Sequence, residues 1–139
     1  MEINKTEELK NVSSEVLSAE AVKQLLEKKA IDVKLFYVKE TTSITDYYVN
    51  ATGRSSTQVA ALADELADNF SDRGRNSLRV EGRQGGAWIL VDYGDVIINI
   101  FDKASREFYN LDRHLPEECE VDISHLVKEV DEKFEINKN

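Results

Sequence analysis

Trp88-Ile89-Leu90-Val91-Asp92-Tyr93-Gly94-Asp95-Val96-Ile97-Ile98-Asn99-Ile100-Phe101 is the stretch on which the fold turns. Two apolar, β-branched runs are parted by Asp92-Tyr93-Gly94-Asp95, a turn composition, so the segment predicts a hairpin whose strands are buried on both faces. Strands of that kind need cover on two sides, and the flanking sequence has to supply it. Asn99 is the exception within the second run. A polar side chain among apolar neighbours must find a hydrogen bond or meet an interface.

Upstream, Val59, Leu62, Ala63, Leu66 and Phe70 make one apolar stripe at helical spacing, with Ser55 and Gln58 forming a capping box ahead of it. Ser71-Asp72-Arg73-Gly74 closes that helix on a C-cap glycine. Before it, Val33–Val38 and Asp46–Thr52 are predicted strands. Val16, Leu17, Ala21, Val22, Leu25 and Leu26 predict a first helix capped by Ser14 or Ser18, with Lys28 and Lys29 placed against its C-terminal dipole. Leu78–Val80 is a third short strand leading into a glycine turn, Glu81–Gly86. Downstream, Ala104, Phe108, Leu111 and Leu115 space a helix over Lys103–His114, ended by Pro116. Leu126, Val127, Val130 and Phe134 then put a weaker helix over Ile123–Phe134.

The order αββαβββα with a trailing α implies an α/β (α+β) single domain, a mixed β-sheet flanked by helices. Residues 1–13 are expected to be a flexible tail, 14–115 the domain proper, and 116–139 a C-terminal extension carrying the weak helix.

The 139 residues suit one such domain. Eighteen Lys and Arg against 27 Asp and Glu leave a net charge of −9. Non-specific nucleic-acid binding needs the opposite sign, so little direct nucleic-acid contact is expected, whereas a basic protein would be drawn in. The single cysteine, Cys119, has no internal disulfide partner and fits a reducing, cytoplasmic setting. The N-terminus is polar and acidic, and no apolar run approaches the ~20 residues of a membrane span, so no membrane is expected.

Asp92 and Asp95, with Glu81 upstream, are the residues an enzyme would use, since a divalent ion needs carboxylates converging from neighbouring strands. Residues i and i+3 on an extended strand point to opposite faces, and aspartate is common in turns, so both are better explained as hairpin termini. Gly53-Arg54-Ser55, at a strand-to-helix junction, offers amides to a phosphate but lacks the Lys and repeated Gly of a phosphate loop. His114 and His125 have no second ligand at metal spacing, and Cys119 has no activating His. No cofactor, metal or catalytic residue is expected. What remains is a surface: Trp88 after the glycine loop, Leu90, Tyr93 at the hairpin tip between Asp92 and Asp95, and Tyr47 and Tyr48 behind Asp46. Aromatic anchors rimmed by carboxylates suit a basic protein partner, against the alternative that Trp88 is simply core.

The run Trp88 to Ile98, preceded by Val80-Glu81-Gly82 and followed by Phe101, Arg106, Phe108-Tyr109 and Leu111-Asp112, closely resembles the ribosomal silencing factor family, also called Iojap-like. Thr45-Asp46-Tyr47-Tyr48-Val49 and Gly53-Arg54-Ser55 with Gln58 fit the same pattern, so the resemblance covers about residues 16 to 115. It implies a domain like that of nucleotidyltransferases without the catalytic apparatus. It also implies binding to the large ribosomal subunit through the L-fourteen ribosomal protein, blocking subunit joining and repressing translation. The chain departs from the family pattern at Asn99, where His is usual, and at His114-Leu115, where Leu-Trp is usual. Contacts are expected from Trp88, Leu90, Asp92, Tyr93 and Asp95, with Asp46 and Tyr47 as neighbours. The alternative from another class is a metal-dependent nucleotidyltransferase using Asp92 and Asp95. A homodimer is expected in the free state.

Overall fold

The computed structural model describes residues 8–138, with side chains through Phe134. α1 (Ser14–Glu27) leads into β1 (Ile31–Tyr37) and β2 (Tyr47–Gly53), then α2 (Ser56–Asp72), β3 (Arg79–Glu81), β4 (Trp88–Asp92), β5 (Val96–Asp102) and α3 (Lys103–Tyr109). Short 3-10 turns connect α3 to β6 (Glu120–Val121) and α4 (Ser124–Lys138). The strands form one sheet in the order β3-β4-β5-β2-β1-β6. β2 and β5 run parallel, and every other pair is antiparallel. The single mixed sheet flanked by helices is the architecture expected from the hairpin and its flanks.

Strand alternation sorts the side chains into two faces. Val49 and Ala51, Ile89 and Val91, and Ile98 and Ile100 point to one side, where Leu17, Ala21 and Leu25 of α1 and the stripe of α2 cover them. β5 is buried along nearly its whole length, as predicted, whereas β4 alternates buried with half-buried residues. α2 behaves as its sequence dictates: the Ser55 hydroxyl accepts the Gln58 amide at 3.1 Å. The Gln58 side chain reaches back one residue further than a capping box requires, accepting from the Arg54 amide. At its other end Gly74 has φ +92°. The amides of Arg75 and Gly74 donate to the Phe70 and Ser71 carbonyls at 2.8 and 3.0 Å, closing the helix in a Schellman motif.

Five expectations change. α1 is capped by Ser13, whose hydroxyl accepts the Val16 amide at 3.2 Å. Ser14 is spent instead on Asp46, and Ser18 on the Glu15 carbonyl. The presumed tail is anchored where it is described: Leu9 is buried, and its amide donates to the Arg73 carbonyl at 2.7 Å. Residues 1–7 of that tail lie outside the described residues.

The helix placed over Lys103–His114 ends at Tyr109, because Asn110 takes a left-handed conformation (φ 50°) and a 3-10 turn follows. Its apolar residues also face the other way from the expectation. Phe108 is 80% exposed while Arg106 is 8% exposed, since the sheet beneath α3 presents polar Asn50 and Thr52. Finally, residues 116–138 are built into the domain. β6 pairs with Leu35 and Phe36 of β1. α4 lays Leu126 and Val130 into the core and joins α1 through Lys23–Glu129 and Lys133–Glu27 ion pairs, both 2.9 Å.

Candidate partner-binding face

The second face of the sheet carries Trp88, Leu90 and Asp92 from β4, Ile97, Asn99 and Phe101 from β5, and Tyr48, Asn50 and Thr52 from β2. Pairing sets them in cross-strand rows: Asp92–Ile97–Tyr48, Leu90–Asn99–Asn50, and Trp88–Phe101–Thr52. Among the described residues, the short α3 and the 3-10 turn after it lie over the Asn50 and Thr52 end of these rows, and Leu115 and Cys119 pack beside Tyr48 at the other. Trp88 and Leu90 are half-buried.

Aromatic rings run from this face to the surface. Trp88 stacks on Phe101 with centroids 5.0 Å apart, Tyr109 of α3 tilts onto Trp88 at 4.8 Å, and Phe108 meets Tyr109 edge-on at 5.0 Å. Such contacts contribute about 0.5–1.5 kcal/mol each beyond the area they bury. Trp88 is therefore supported from below and from the side, and the ladder ends in exposed Phe108 and partly exposed Tyr109.

Polar groups are threaded beneath the rings. The Trp88 indole N–H donates to Asn99 Oδ1 at 3.0 Å, Asn99 Nδ2 to Asn50 Oδ1 at 3.1 Å, and Asn50 Nδ2 to Asp112 Oδ1 at 2.7 Å. Arg106 completes the chain, donating to Asp112 Oδ2 and to Thr52 Oγ1, both at 2.8 Å. Asn99 thus has its hydrogen bonds within the chain. Asn50, Arg106 and Asp112 were not singled out as site residues from sequence. The signal for Asn50 was available, since it is a second polar residue inside an apolar strand, in register with Asn99.

The seven sequence-predicted residues fall in three places. Trp88, Leu90 and Asp92 share the open face. Tyr93 does not join them: it is 4% exposed and packs on Phe70 with centroids 5.3 Å apart, on the helix-covered side with Ile89 and Val91. Parity along the strand puts it there, so Tyr93 is core and not the exposed anchor expected of a hairpin tip. Burial pushes the pKa of its phenol well above the ordinary tyrosine range, so the phenol stays protonated. Tyr47 also faces the helices, against Tyr37 at 5.1 Å. Asp46 and Asp95 meet at the end of the sheet, where the Asp95 carbonyl accepts the Asp46 and Tyr47 amides at 3.1 and 3.2 Å.

The two hairpin carboxylates do not converge. Asp92 accepts from Arg79 Nε at 3.0 Å and from the Gly94 amide at 2.7 Å, while Asp95 accepts from Arg75 Nη2 at 3.0 Å. Each is held by its own arginine, which is how turn-terminating aspartates behave. Among the described residues, no group of three or more His, Cys, Asp and Glu is placed to hold a metal ion. Arg54 is used locally, donating to the Lys29 carbonyl at 2.8 Å. Burial, and then the charge of Asp92 in the same cross-strand row, raises the Tyr48 phenol above its ordinary value.

Architecture and site together define a small α/β protein with one sheet face sealed by helices and the other aromatic and partly open. This chain belongs to the ribosomal silencing factor family: the family model described as "Ribosomal silencing factor during starvation" matches residues 11–139. It is 40% identical to the ribosomal silencing factor of Zymomonas mobilis over 85 residues, a match spanning 61% of this chain and 64% of that one. With the factor of Halalkalibacterium halodurans it shares 34% over 102 residues, 73% of this chain and 87% of the relative. A crystal structure of a protein from Chromobacterium violaceum superposes with a TM-score of 0.71 at 29% identity, covering 73% of this chain and 85% of that one. Among the described residues, no helix is long and apolar enough to cross a membrane.

Proposed function

We propose that this protein binds the large ribosomal subunit through the L-fourteen ribosomal protein, excludes the small subunit from its intersubunit face, and so represses translation in the cytoplasm. It acts by occupancy and performs no chemistry. Family membership supports the ribosomal role. The observation that carries the mode of action is the aromatic ladder from half-buried Trp88 to exposed Phe108, a rigid apolar surface of the sort that anchors protein interfaces.

Trp88 and Leu90 are the anchors, with Asp92 at the edge of the same face. Asp46, Tyr47 and Asp95 stand at the end of the sheet as its neighbours. With its arginine partner the Asp92 carboxylate is not a bare charge, so the acidity acts mainly through the summed field of net −9, steering a basic ribosomal protein toward the surface. Sedimentation of the purified protein with isolated subunits tests this. Co-migration with the large subunit and failure of the two subunits to join is expected. Recovery with the small subunit, or unimpeded joining, refutes it.

A further inference from the structure

A carboxamide is nearly symmetric in shape but has a donor end and an acceptor end, so a chain of amides has a direction that its termini must impose. Here both termini are unambiguous. Asp112 is a carboxylate held by Arg106, a pure acceptor at one end. The Trp88 indole is a pure donor at the other. Asn50 must offer its NH2 to Asp112, which turns its oxygen toward Asn99. Asn99 must then offer its own NH2 to that oxygen, which leaves its oxygen facing the indole. Asn50 and Asn99 are each 1% exposed, so water cannot relieve a mismatch.

We infer that Asp112 is a positioning residue for the partner contact: through Asn50 and Asn99 it fixes the direction of the amide chain and thereby holds the Trp88 indole in the orientation the ribosomal partner meets. The inference rests on the proposed role of Trp88 at that interface. Its consequence is directional. In Asp112→Asn the Arg106 guanidinium takes the one remaining carbonyl oxygen, the new NH2 faces Asn50, and both amides must turn over. Asn99 then confronts the indole N–H with its own NH2, and the indole has to leave.

Trp88 is the single tryptophan, so its indole N–H gives one resolved amide-type NMR signal and its fluorescence one emitter. D112N is expected to shift that signal, speed its hydrogen exchange by about tenfold or more, and weaken co-sedimentation with the large subunit by about tenfold. N99H should restore neither loss in the D112N background, yet alone it should keep the indole signal protected, because a neutral imidazole has one acceptor and one donor nitrogen. N50L provides a second route should D112N fail to fold by circular dichroism. It cuts the chain at its middle while leaving the Asp112–Arg106 pair in place; Asn99, no longer held through its NH2, is free to turn, and the indole should lose part of its protection.

An indole signal unchanged in folded D112N or N50L overturns the inference. So does an indole freed in either variant with subunit binding unaltered. The failure of the wild-type protein to bind the large subunit would instead remove the functional reading, and the indole measurements would still decide whether the amide chain transmits direction.

Discussion

The ring of Tyr109 lies 4.8 Å from that of Trp88, joining the short α3 to the edge of the sheet by an aromatic contact. Trp88 is thereby part of the fold and part of the surface at once. Substitutions here move stability and binding together unless they are chosen with care.

Trp88→Ala removes the ring that touches both Phe101 and Tyr109. It is expected to weaken large-subunit binding by ~2 kcal/mol or more, and also to lower stability by ~1–3 kcal/mol because the side chain is half-buried. Binding by sedimentation and unfolding in urea, on the same preparation, separate the two losses. Unchanged binding would remove Trp88 from the interface.

Phe108→Ala is the cleaner probe. With the ring 80% exposed and the edge contact with Tyr109 its one ring contact, stability should fall by no more than about 1.5 kcal/mol, while binding should fall if the aromatic ladder meets the partner. A variant as tight as wild type would confine the interface to β4.

Leu126→Ala tests whether α4 is integral. The side chain is 5% exposed in the main core, so its loss should cost ~2–4 kcal/mol. A free extension would tolerate the change with no shift in the unfolding midpoint.

Gly82 has φ +81°, and a Cβ there would stand 2.1 Å from the Trp88 carbonyl oxygen. Gly82→Ala should destabilise the β3–β4 pairing by at least ~1–3 kcal/mol, because a backbone atom cannot step aside as a side chain can. Hydrogen exchange at the β3 and β4 amides is the local measurement.

Glu20 predicts a pH dependence. Burial alone would raise its carboxyl, but hydrogen bonds from Lys23 and Arg73, at 3.0 and 2.9 Å, outweigh that and hold it below the ordinary range. A depressed carboxylate stabilises the fold above its unfolded pKa, about 4.3, and this contribution disappears as pH falls through the lower folded value. Stability measured from roughly pH 6 down to pH 3 should fall more steeply in wild type than in Glu20→Gln. Parallel profiles would show that the ion pair contributes nothing.

Strong periodicity made the sheet and α2 legible: the stripe from Val59 to Phe70 and the runs around Asp92–Asp95 admit few other folds. What stayed hidden was short or local. A two-residue strand such as β6 has no alternation to read, Leu9 is a lone apolar residue, and the end of α3 depends on the backbone of one residue, Asn110. In the site, Trp88, Leu90 and Asp92 lie two apart and share a face as a strand requires, and the same parity sends Tyr93 inward. Arg106 was invisible because its burial depends on acceptors from β2 and the turn after α3, which only the folded chain brings together.

The parallel seam between β2 and β5 sits at the middle of the sheet, yet its strands are separated in the chain by α2, β3 and β4. A chain emerging during synthesis can fold its first helix and the β1–β2 hairpin early, but the centre of the domain has no second half until Val96–Asp102 arrives. Folding is therefore gated by a late, long-distance closure rather than by zipping from one end, and neither half of the sheet can complete its core before the Val96–Asp102 strand has been made.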